Sequence, residues 1–375
     1  MRTVLLVILL LFIVPSVVAQ SAPFNFVAWG DTKSARDVLS SLSNQAKQLN
    51  PAFTLYSGDL EDSGFTQSGA LAWKEAMNGG NGNGMFDKVF PVRGNHDSGN
   101  TAGWQSFYSL KDAVPRVGGS NYSAMTEDLT YSFDYQNAHF TGIDVTGDAS
   151  KISAEEISWL DRDLTAAESR GLTHAFIYFH GPIYCVAEHC SCDARTCATN
   201  SAVKSLIEVI NKHPIVSATF HGHEHTYAHI HVDNTRIPEV THPFEEFVTG
   251  DAGAGPVGCS KSFRFDYCMP DHGFISVAVN GAAFVVNYYK QGSTTPVKTL
   301  SFTKTGVSTV TPTAGACTGK SRGDADCDGA VEMDDFEIFR KEYVHAVTSR
   351  QADFNADGVV DLADFERWRS TKLGI

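Results

Sequence analysis

Five short polar clusters, each directly behind an apolar run, constrain this chain of 375 residues more than any other feature of its sequence. The apolar runs cover 26–29, 53–56, 89–92, 175–179 and 217–220, and their composition is typical of buried strands. Polar side chains at the carboxyl ends of neighbouring strands meet along one edge of an α/β sheet, so this order predicts a single site. Oxygen and imidazole ligands without thiolate suit a pair of hard or borderline divalent metal ions. The clusters are Gly30-Asp31, Gly58-Asp59, Gly94-Asn95-His96-Asp97, His180 with Pro182, and Gly222-His223-Glu224-His225.

The N-terminal segment 1–19 has the pattern of a secretory signal peptide. Arg2 supplies the positive start, 4–14 the apolar core, and Val17-Val18-Ala19 the small-residue cleavage pattern. This apolar run is short for a membrane span, and the rest of the sequence contains none longer. We therefore expect a secreted or cell-surface protein without a membrane span.

Eight cysteines follow this segment, and an exported protein can form disulfides. Their spacing favours two short-loop pairs, Cys259 with Cys268 and Cys317 with Cys327. The other four could alternatively hold zinc, but the missing C-x-x-C spacing and the compartment favour disulfides of open connectivity. These four are Cys185, Cys190, Cys192 and Cys197.

The formal net charge of −14 argues against nonspecific binding to nucleic acid or to an anionic membrane surface. We expect no nucleic acid as a structural partner. An anionic substrate would instead be attracted by the local charge of bound metal ions.

The order of the elements predicts an α/β fold. Helical patterns cover 34–49, 153–169 and 201–211, and Ser153 with Glu156 forms a capping-box signature. Later apolar runs at 274–279 and 283–288 are joined by Asn280-Gly281, a strong hairpin signal. Alternating strands and helices followed by hairpins predict two mixed sheets covered by helices.

The C-terminal tail contains an internal repeat of 29 residues. Each copy has the spacing of a calcium-binding loop, with oxygen ligands at positions one, three and five, glycine at six, and acidic residues at nine and twelve. Position seven would contribute a main-chain carbonyl. The predicted calcium ligands are Asp324, Asp326, Asp328, Ala330, Glu332 and Asp335 in the first loop, and Asp353, Asn355, Asp357, Val359, Asp361 and Asp364 in the second.

Taken together, the five clusters resemble the calcineurin-like metallophosphoesterase superfamily, which includes the purple acid phosphatases. The resemblance assigns residues 20–304 to one domain and implies a four-layer α/β/β/α sandwich. It also implies two divalent or trivalent metal ions of the Fe, Mn or Zn class, which hold a hydroxide between them and clamp a phosphate ester substrate. By resemblance, Asp59 bridges the metals; Asn95, His180 and His223 complete one metal site, and Asp31 and His225 complete the other.

The same resemblance suggests roles for further residues. It places His96 beside the leaving group as a catalytic residue, with Asp97 orienting its ring. Lys33 stands where the family has histidine or glycine, which makes it a candidate substrate-binding residue. Asp62 replaces the tyrosine that ligates iron in the purple enzymes, so we expect no tyrosinate chromophore; Asp62 is either a ligand or a surface residue.

The tail resembles a type I dockerin. The resemblance implies a small all-α domain at 317–375, behind a linker at 305–316, with two calcium ions and a cohesin-like scaffold protein as partner. Positions ten and eleven of the loops, which dockerins present to cohesins, are Met333-Asp334 and Leu362-Ala363 rather than the familiar hydroxyl pair. The partner type therefore remains open.

These patterns predict a secreted binuclear phosphoesterase, preferably a phosphomonoesterase, that is tethered through a dockerin-like module. One alternative is a phosphodiesterase or nucleotidase of the same fold. The other is a noncatalytic surface or scaffold protein.

Overall fold

The computed structural model describes residues 21–80, 84–125, 128–187, 189, 200–260, 265–304, 323, 325, 331, 333–343, 352–355 and 359–373. The chain divides into two compact units, Met1–Val307 and Ser308–Ile375. The predicted signal peptide, the linker at 305–316 and the Cys317–Cys327 pair lie outside the described residues. Among the described helices, none combines the length and the apolar character that a membrane crossing requires.

The first unit contains two mixed sheets, of six and eight strands. Their strands are β1 Phe24–Trp29, β2 Thr54–Tyr56, β3 Val89–Pro91, β4 Ser120–Ala124, β5 Tyr131–Tyr135, β6 Ala138–Gly142, β7 His174–Tyr178, β8 Val216–His221, β9 Tyr227–Val232, β10 Phe244–Thr249, β11 Tyr267–Met269, β12 Gly273–Asn280, β13 Ala283–Lys290 and β14 Lys298–Thr303. The described helices of this unit are α1 Arg36–Ala46, α2 Gln67–Met77, α3 Thr101–Phe107, α4 Leu110–Val117, α5 Ala154–Ser169 and α6 Ser201–Lys212.

The strand order brings the predicted clusters to common edges. The smaller sheet has the order β14-β13-β12-β1-β2-β3, and the larger has β11-β9-β10-β8-β7-β6-β5-β4. β1, β2 and β3 run parallel, and so do β6, β7, β8 and β10. The loops that follow these strands therefore leave each sheet in one direction, which is what a shared site requires.

Strand β7 shows how the layers pack. Its side chains alternate between two cores, since successive residues of a strand point to opposite faces. Phe176 and Tyr178 belong to the core between the sheets. Ala175 and Ile177 pack instead with the apolar stripes of α5 and α6. The outer face of the larger sheet is thus covered by helices, as the alternating pattern predicted.

Local signals in the sequence fix several element ends. Ser153 accepts a hydrogen bond from the Glu156 amide while the Glu156 carboxylate accepts one from the Ser153 amide, so the predicted capping box is confirmed at α5. Gly281, with φ 59°, forms the turn of the β12–β13 hairpin, in which Asn280 pairs with Ala283. The predicted disulfide between Cys259 and Cys268 is present. Cys185 is disulfide-bonded too, which favours disulfides over zinc there.

The second unit shows the same contact in both copies of its repeat. Its described helices are α7 Met333–Tyr343 and α8 Leu362–Leu373. Asp335 accepts a hydrogen bond from the Ala325 amide at 2.7 Å, and Asp364 accepts one from the Phe354 amide at the same distance. Each pair joins positions twelve and two of a predicted loop. Aromatic rings of the two helices pack together, namely Phe336, Phe339, Phe365 and Trp368.

A charged cluster lies buried in the first unit. The fully buried His139 bonds through Nδ1 to Asp134 Oδ1 at 2.6 Å and through Nε2 to Asp163 Oδ2 at 2.8 Å. Arg170 pairs with the same Asp134. Burial lowers the pKa of His139, but the bonds to Asp134 and Asp163 outweigh it, so the pKa is raised overall. Both ring nitrogens face carboxylates, which is the environment of an imidazolium.

We predict that this cluster makes the stability of the first unit depend on pH. A raised pKa in the folded state stabilises the fold below the unfolded pKa of about 6.5, and this contribution is lost as the pH rises through the folded value. The thermal unfolding midpoint of the wild type should therefore fall as the pH rises from about 6.5 through the folded pKa of His139. His139→Gln should lower stability by about 3–5 kcal/mol, because it removes the cation that the buried Asp163 carboxylate faces, and should flatten this dependence. His272→Gln is the control outside the cluster; parallel curves for His139→Gln and wild type would contradict the assignment.

Candidate metal centre

The predicted ligands leave two sheets and meet between them. Asp31, Asp59 and Asn95 follow the parallel strands β1, β2 and β3 of the smaller sheet. His180 follows β7, and His223 follows β8, in the larger sheet. Side chains from both sheets can therefore surround one space, whereas a single strand end could supply only one or two donors.

The backbone turns sharply at three of these residues. Asp31, Asp59 and His223 have φ angles of 60°, 55° and 67°, in the left-handed region that non-glycine residues rarely adopt. Such conformations cost about 1–3 kcal/mol each and concentrate at functional sites. The neighbouring loops also cross closely, since a Cβ on Gly58 would meet the Gly94 amide at 2.5 Å. Only glycine fits at this crossing.

Four donor atoms form the tighter half of the site. Asn95 Oδ1 lies 2.9 Å from His180 Nε2 and 3.0 Å from His223 Nδ1. These two ring nitrogens are 3.1 Å apart, and His180 Nε2 is 3.4 Å from Asp59 Oδ1. His180 and Asp59 are buried.

The hydrogen bond at the second nitrogen of each ring decides whether the first nitrogen presents a lone pair or a proton to the site. His180 Nδ1 donates to the Ser57 carbonyl at 2.8 Å, and His223 Nε2 donates to the His189 carbonyl at 3.1 Å. Burial lowers the pKa of His180, and it lowers that of His223 to about 4. Both rings are therefore neutral near pH 7, and their lone pairs face each other and the Asn95 oxygen. Facing lone pairs repel unless a cation lies between them.

A second, wider group adjoins the first. His225 Nε2 lies 3.7 Å from Asp31 Oδ1, and among the described residues this buried nitrogen has no hydrogen-bond partner. Burial, followed by the charge of Lys33, lowers the pKa of His225 to about 3. Burial and the charge of Asp59 raise the pKa of Asp31 well above its usual value. A cation would bind the unpartnered His225 nitrogen and would offset the repulsion between the Asp31 and Asp59 carboxylates.

This donor set fits metal ions. Asp31, Asp59 and His180 offer ligand atoms within 4.8 Å of one another, and all three residues are buried. An unpartnered ring nitrogen, two adjacent buried carboxylates and converging neutral imidazoles are all satisfied by divalent cations.

The structure corrects the expected partner of His96. The Asp97 carboxylate accepts hydrogen bonds from the backbone amides of Leu60, Glu61 and Gly94, at 3.0, 3.3 and 2.9 Å. His96 Nδ1 instead bonds to the Asp62 carbonyl, and its Nε2 faces Asp59 Oδ2 at 3.9 Å. Asp97 therefore ties two ligand loops together rather than orienting His96, because its buried carboxyl lies against those amides.

Lys33 lies within the site, and Asp62 lies at its margin. Lys33 Nζ is 3.8 Å from Asp59 Oδ2, and 19% of its side chain is exposed. Asp62 is exposed and contacts His96 through its main-chain carbonyl. The 250–255 segment lies against the ligand loops, with the Ala254 amide donating to the Asp31 carbonyl.

Two histidines outside the predicted ligand set lie in defined environments. His229 is buried and ion-paired with Glu245 of the neighbouring β10 strand. His189 lies next to the centre: its Nδ1 bonds to the His223 carbonyl at 3.1 Å, and its ring lies 4.4 Å from the His225 ring. Sequence proximity to His180 was the only signal for His189. The carbonyl acceptors of the ligand rings had none.

Of the predicted calcium ligands, Asp335, Asp353, Asn355, Val359, Asp361 and Asp364 are described. Asp361 accepts a hydrogen bond from the Ala363 amide, and its own amide bonds to Asp364. The remaining predicted ligands lie outside the described residues, namely Asp324, Asp326, Asp328, Ala330, Glu332 and Asp357.

Three solved structures share the fold of the first unit. Purple acid phosphatase PPD1 from yellow lupin (Lupinus luteus) seeds has a TM-score of 0.57 at 13% identity, over 76% of this chain and 54% of the lupin chain. GAP50, the anchor in the inner membrane complex of Plasmodium, has a TM-score of 0.55 at 14% identity, over 75% and 89%. A dimetal phosphatase from Danio rerio has a TM-score of 0.52 at 14% identity, over 75% and 99%. This chain thus spans about half the length of the lupin enzyme.

Similarity at these identities shows the fold. No curated protein matches the chain. The calcineurin-like phosphoesterase family, however, matches residues 24–227, which is more than half of the sequence. On that match, and with a donor set that fits metal ions between its two mixed sheets, this chain belongs to the calcineurin-like phosphoesterase family.

Proposed function

We propose that this protein is a secreted, binuclear metal-dependent phosphomonoesterase. The convergence of Asn95 Oδ1, His180 Nε2 and His223 Nδ1 within 3.1 Å carries this proposal. Three neutral donors at that separation, next to the Asp59 carboxylate, have no role in stabilising a fold unless they bind a cation.

Asp59 is the residue that both metal positions would share. Its Oδ1 lies near His180, while its Oδ2 faces Lys33 and His96. Asn95, His180 and His223 would complete one position, and Asp31 and His225 the other. Two metal ions of the Fe, Mn or Zn class held there would supply Lewis acidity for the transfer of a phosphoryl group to water.

His96 is suited to protonate the leaving group. Because Nδ1 donates to the Asp62 carbonyl, Nε2 is the nitrogen that faces the site. About a third of the side chain is exposed, at 34%, so a substrate can reach it. A proton on Nε2 would pass to the departing alkoxide oxygen, which turns a poor leaving group into a neutral alcohol.

Lys33 supports a monoester as the preferred substrate. Its ammonium lies beside Asp59 and remains partly exposed, so it can pair with a nonbridging phosphoryl oxygen. A phosphomonoester carries one more negative charge than a diester at such a contact. A phosphodiesterase or nucleotidase of the same fold remains the alternative within this reaction class.

The noncatalytic alternative has one observation in its favour. GAP50, which shares the fold, is described as an anchor. The present chain retains carboxylate, amide and imidazole donors in binding arrangement, together with His96 and Lys33 at the opening. Retaining such a costly buried set favours a catalytic role.

The second unit would act as a calcium-stabilised dockerin-like tether. The matching bonds of Asp335 and Asp364 support two equivalent loops, each closed from position twelve to position two. Docking to a cohesin-like scaffold protein outside the cell, after removal of the N-terminal signal, completes the proposal.

The metal assignment predicts different outcomes at two neighbouring residues. Asp59→Asn should abolish turnover and reduce the metal content, because the shared carboxylate is lost. His96→Ala should keep the metal content but lose about 10²–10⁴-fold in kcat, the usual effect of removing a general acid. Metal analysis of the purified variants, alongside hydrolysis of an aryl phosphate, checks both. A metal-free His96→Ala protein with a fully active Asp59→Asn protein would sink the assignment.

Lys33 should affect monoesters more than diesters. Lys33→Met keeps most of the aliphatic stem and removes the charge, so it isolates the ionic contact. The expected loss in kcat/KM is about tenfold to a hundredfold for a monoester and much less for a diester, given about 1.5–3 kcal/mol for a charged hydrogen bond.

Lys33→Arg is the matched control, since it keeps the positive charge and should recover part of the monoester activity. If Lys33→Met leaves the ratio of monoester to diester activity unchanged, the diesterase alternative is preferred.

Calcium should order the second unit of the full-length protein. Acidic loop residues repel one another without a cation, so calcium binding and folding of the loops are coupled. Hydrogen exchange of peptides from 317–375 should slow on adding calcium and return to the fast rate with a chelator. Asp364→Ala should abolish the calcium response in the second loop. Equal exchange with and without calcium would refute a calcium-binding tail.

A further inference from the structure

An exposed loop crosses over the candidate ligand His225. We call residues 254–259 the arch; they have no regular secondary structure, and most of them are exposed. One end is anchored to the other ligand of the wider metal position, because the Ala254 amide donates to the Asp31 carbonyl at 2.7 Å. The arch therefore begins beside Asp31 and passes across the ligand that faces it.

The arch holds the backbone of His225. The Val257 amide donates to the His225 carbonyl at 2.9 Å. On the other side of the residue, His225 Nε2 faces Asp31 Oδ1 at 3.7 Å. The position of this single ligand thus depends on a segment that lacks a helix or strand of its own.

A disulfide anchors the far end of the arch. Cys259 is bonded to Cys268 in β11, and Cys268 pairs with Ala228 in β9, the strand that follows His225. Thr226 also donates to the Met269 carbonyl at 3.0 Å. The disulfide therefore anchors the arch, through β11, to β9, the strand that follows His225.

Opening the bond would loosen the segment that carries the Val257 contact. With the bond intact, Val257 lies between the anchors at Ala254 and Cys259. Without it, the next described backbone anchor after Val257 is the Asp266 amide, which donates to the His229 carbonyl. A segment anchored farther apart has more conformations, so holding the Val257 contact to His225 costs more entropy.

We propose that the Cys259–Cys268 disulfide is a positioning element for His225, and that it selectively strengthens metal binding at the position formed by Asp31, Asp59 and His225. The inference rests on the proposed binuclear centre. The other position should be insensitive, because the rings of His180 and His223 are held by the Ser57 and His189 carbonyls, which lie on other segments.

The test is a Mn²⁺ titration of the full-length, demetallated protein. The wild type should bind two Mn²⁺ ions, and electron paramagnetic resonance should show them as a spin-coupled pair. In the Cys259→Ser/Cys268→Ser variant the position formed by Asp31, Asp59 and His225 should lose about 10–100-fold in affinity, the usual effect of losing an outer-shell contact to a ligand. The position of His180 and His223 should keep its wild-type affinity. At one equivalent of Mn²⁺ the spectrum should then show isolated Mn²⁺.

A second variant keeps the disulfide and loosens the arch. Pro256→Gly adds backbone freedom beside Val257 and should weaken the same site by a smaller factor, while His225→Ala should remove it. If the double cysteine variant does not fold by circular dichroism, Pro256→Gly decides the question.

The outcomes separate the two proposals. A wild type that binds no Mn²⁺ pair overturns the binuclear centre itself. A wild type with two sites, beside variants whose sites are unchanged or weakened equally, overturns the positioning role and leaves the centre in place. A purely structural disulfide would lower the unfolding temperature without splitting the two affinities.

Discussion

The centre depends on imidazole rings whose orientation is fixed from behind by main-chain carbonyls. His180 and His223 each donate through one ring nitrogen to a main-chain carbonyl, so the opposite nitrogen must face the shared space, and His225 Nε2 faces Asp31. Burial keeps these rings neutral, because it lowers the pKa of all three. The donors are therefore already oriented as a cation would require. The fold holds their lone pairs together against their mutual repulsion.

That repulsion can be borne because the loops are held from both sides. The aromatic core between the sheets, where Phe26 packs against Phe140 and Phe220, fixes the strands that lead to the ligands. Asp97 then joins the loops of Asp59 and Asn95 through three backbone amides. Left-handed backbone at the ligands is tolerated for the same reason: the surrounding structure determines the turn more strongly than local preference opposes it.

Features that depend on neighbouring residues could be predicted from the sequence. Contacts between distant segments could not. Strand runs, the capping box of Ser153 and the Asn280-Gly281 turn are local signals, and the structure follows them. The structure brings the five clusters together because each lies directly behind a strand. The ion pair of the buried His229 had no such signal, since it depends on Glu245 in a strand that the sequence does not show to be adjacent. The partner of His96 was wrong because a main-chain carbonyl has no signature in a sequence.

The exposure of its side chains indicates the side from which the centre can be reached. His180 and Asp59 are buried, whereas His96 and Lys33 are partly exposed and His189 is exposed. In the proposed function, a phosphate ester would approach from the side of His96, Lys33 and His189, with its phosphoryl oxygens toward the buried donors. This approach would put the leaving group near His96, whose Nε2 faces the opening, and a nonbridging oxygen near the Lys33 ammonium. The geometry that holds the buried donors rigid thus leaves the proposed proton donor and the cation where a substrate could reach them.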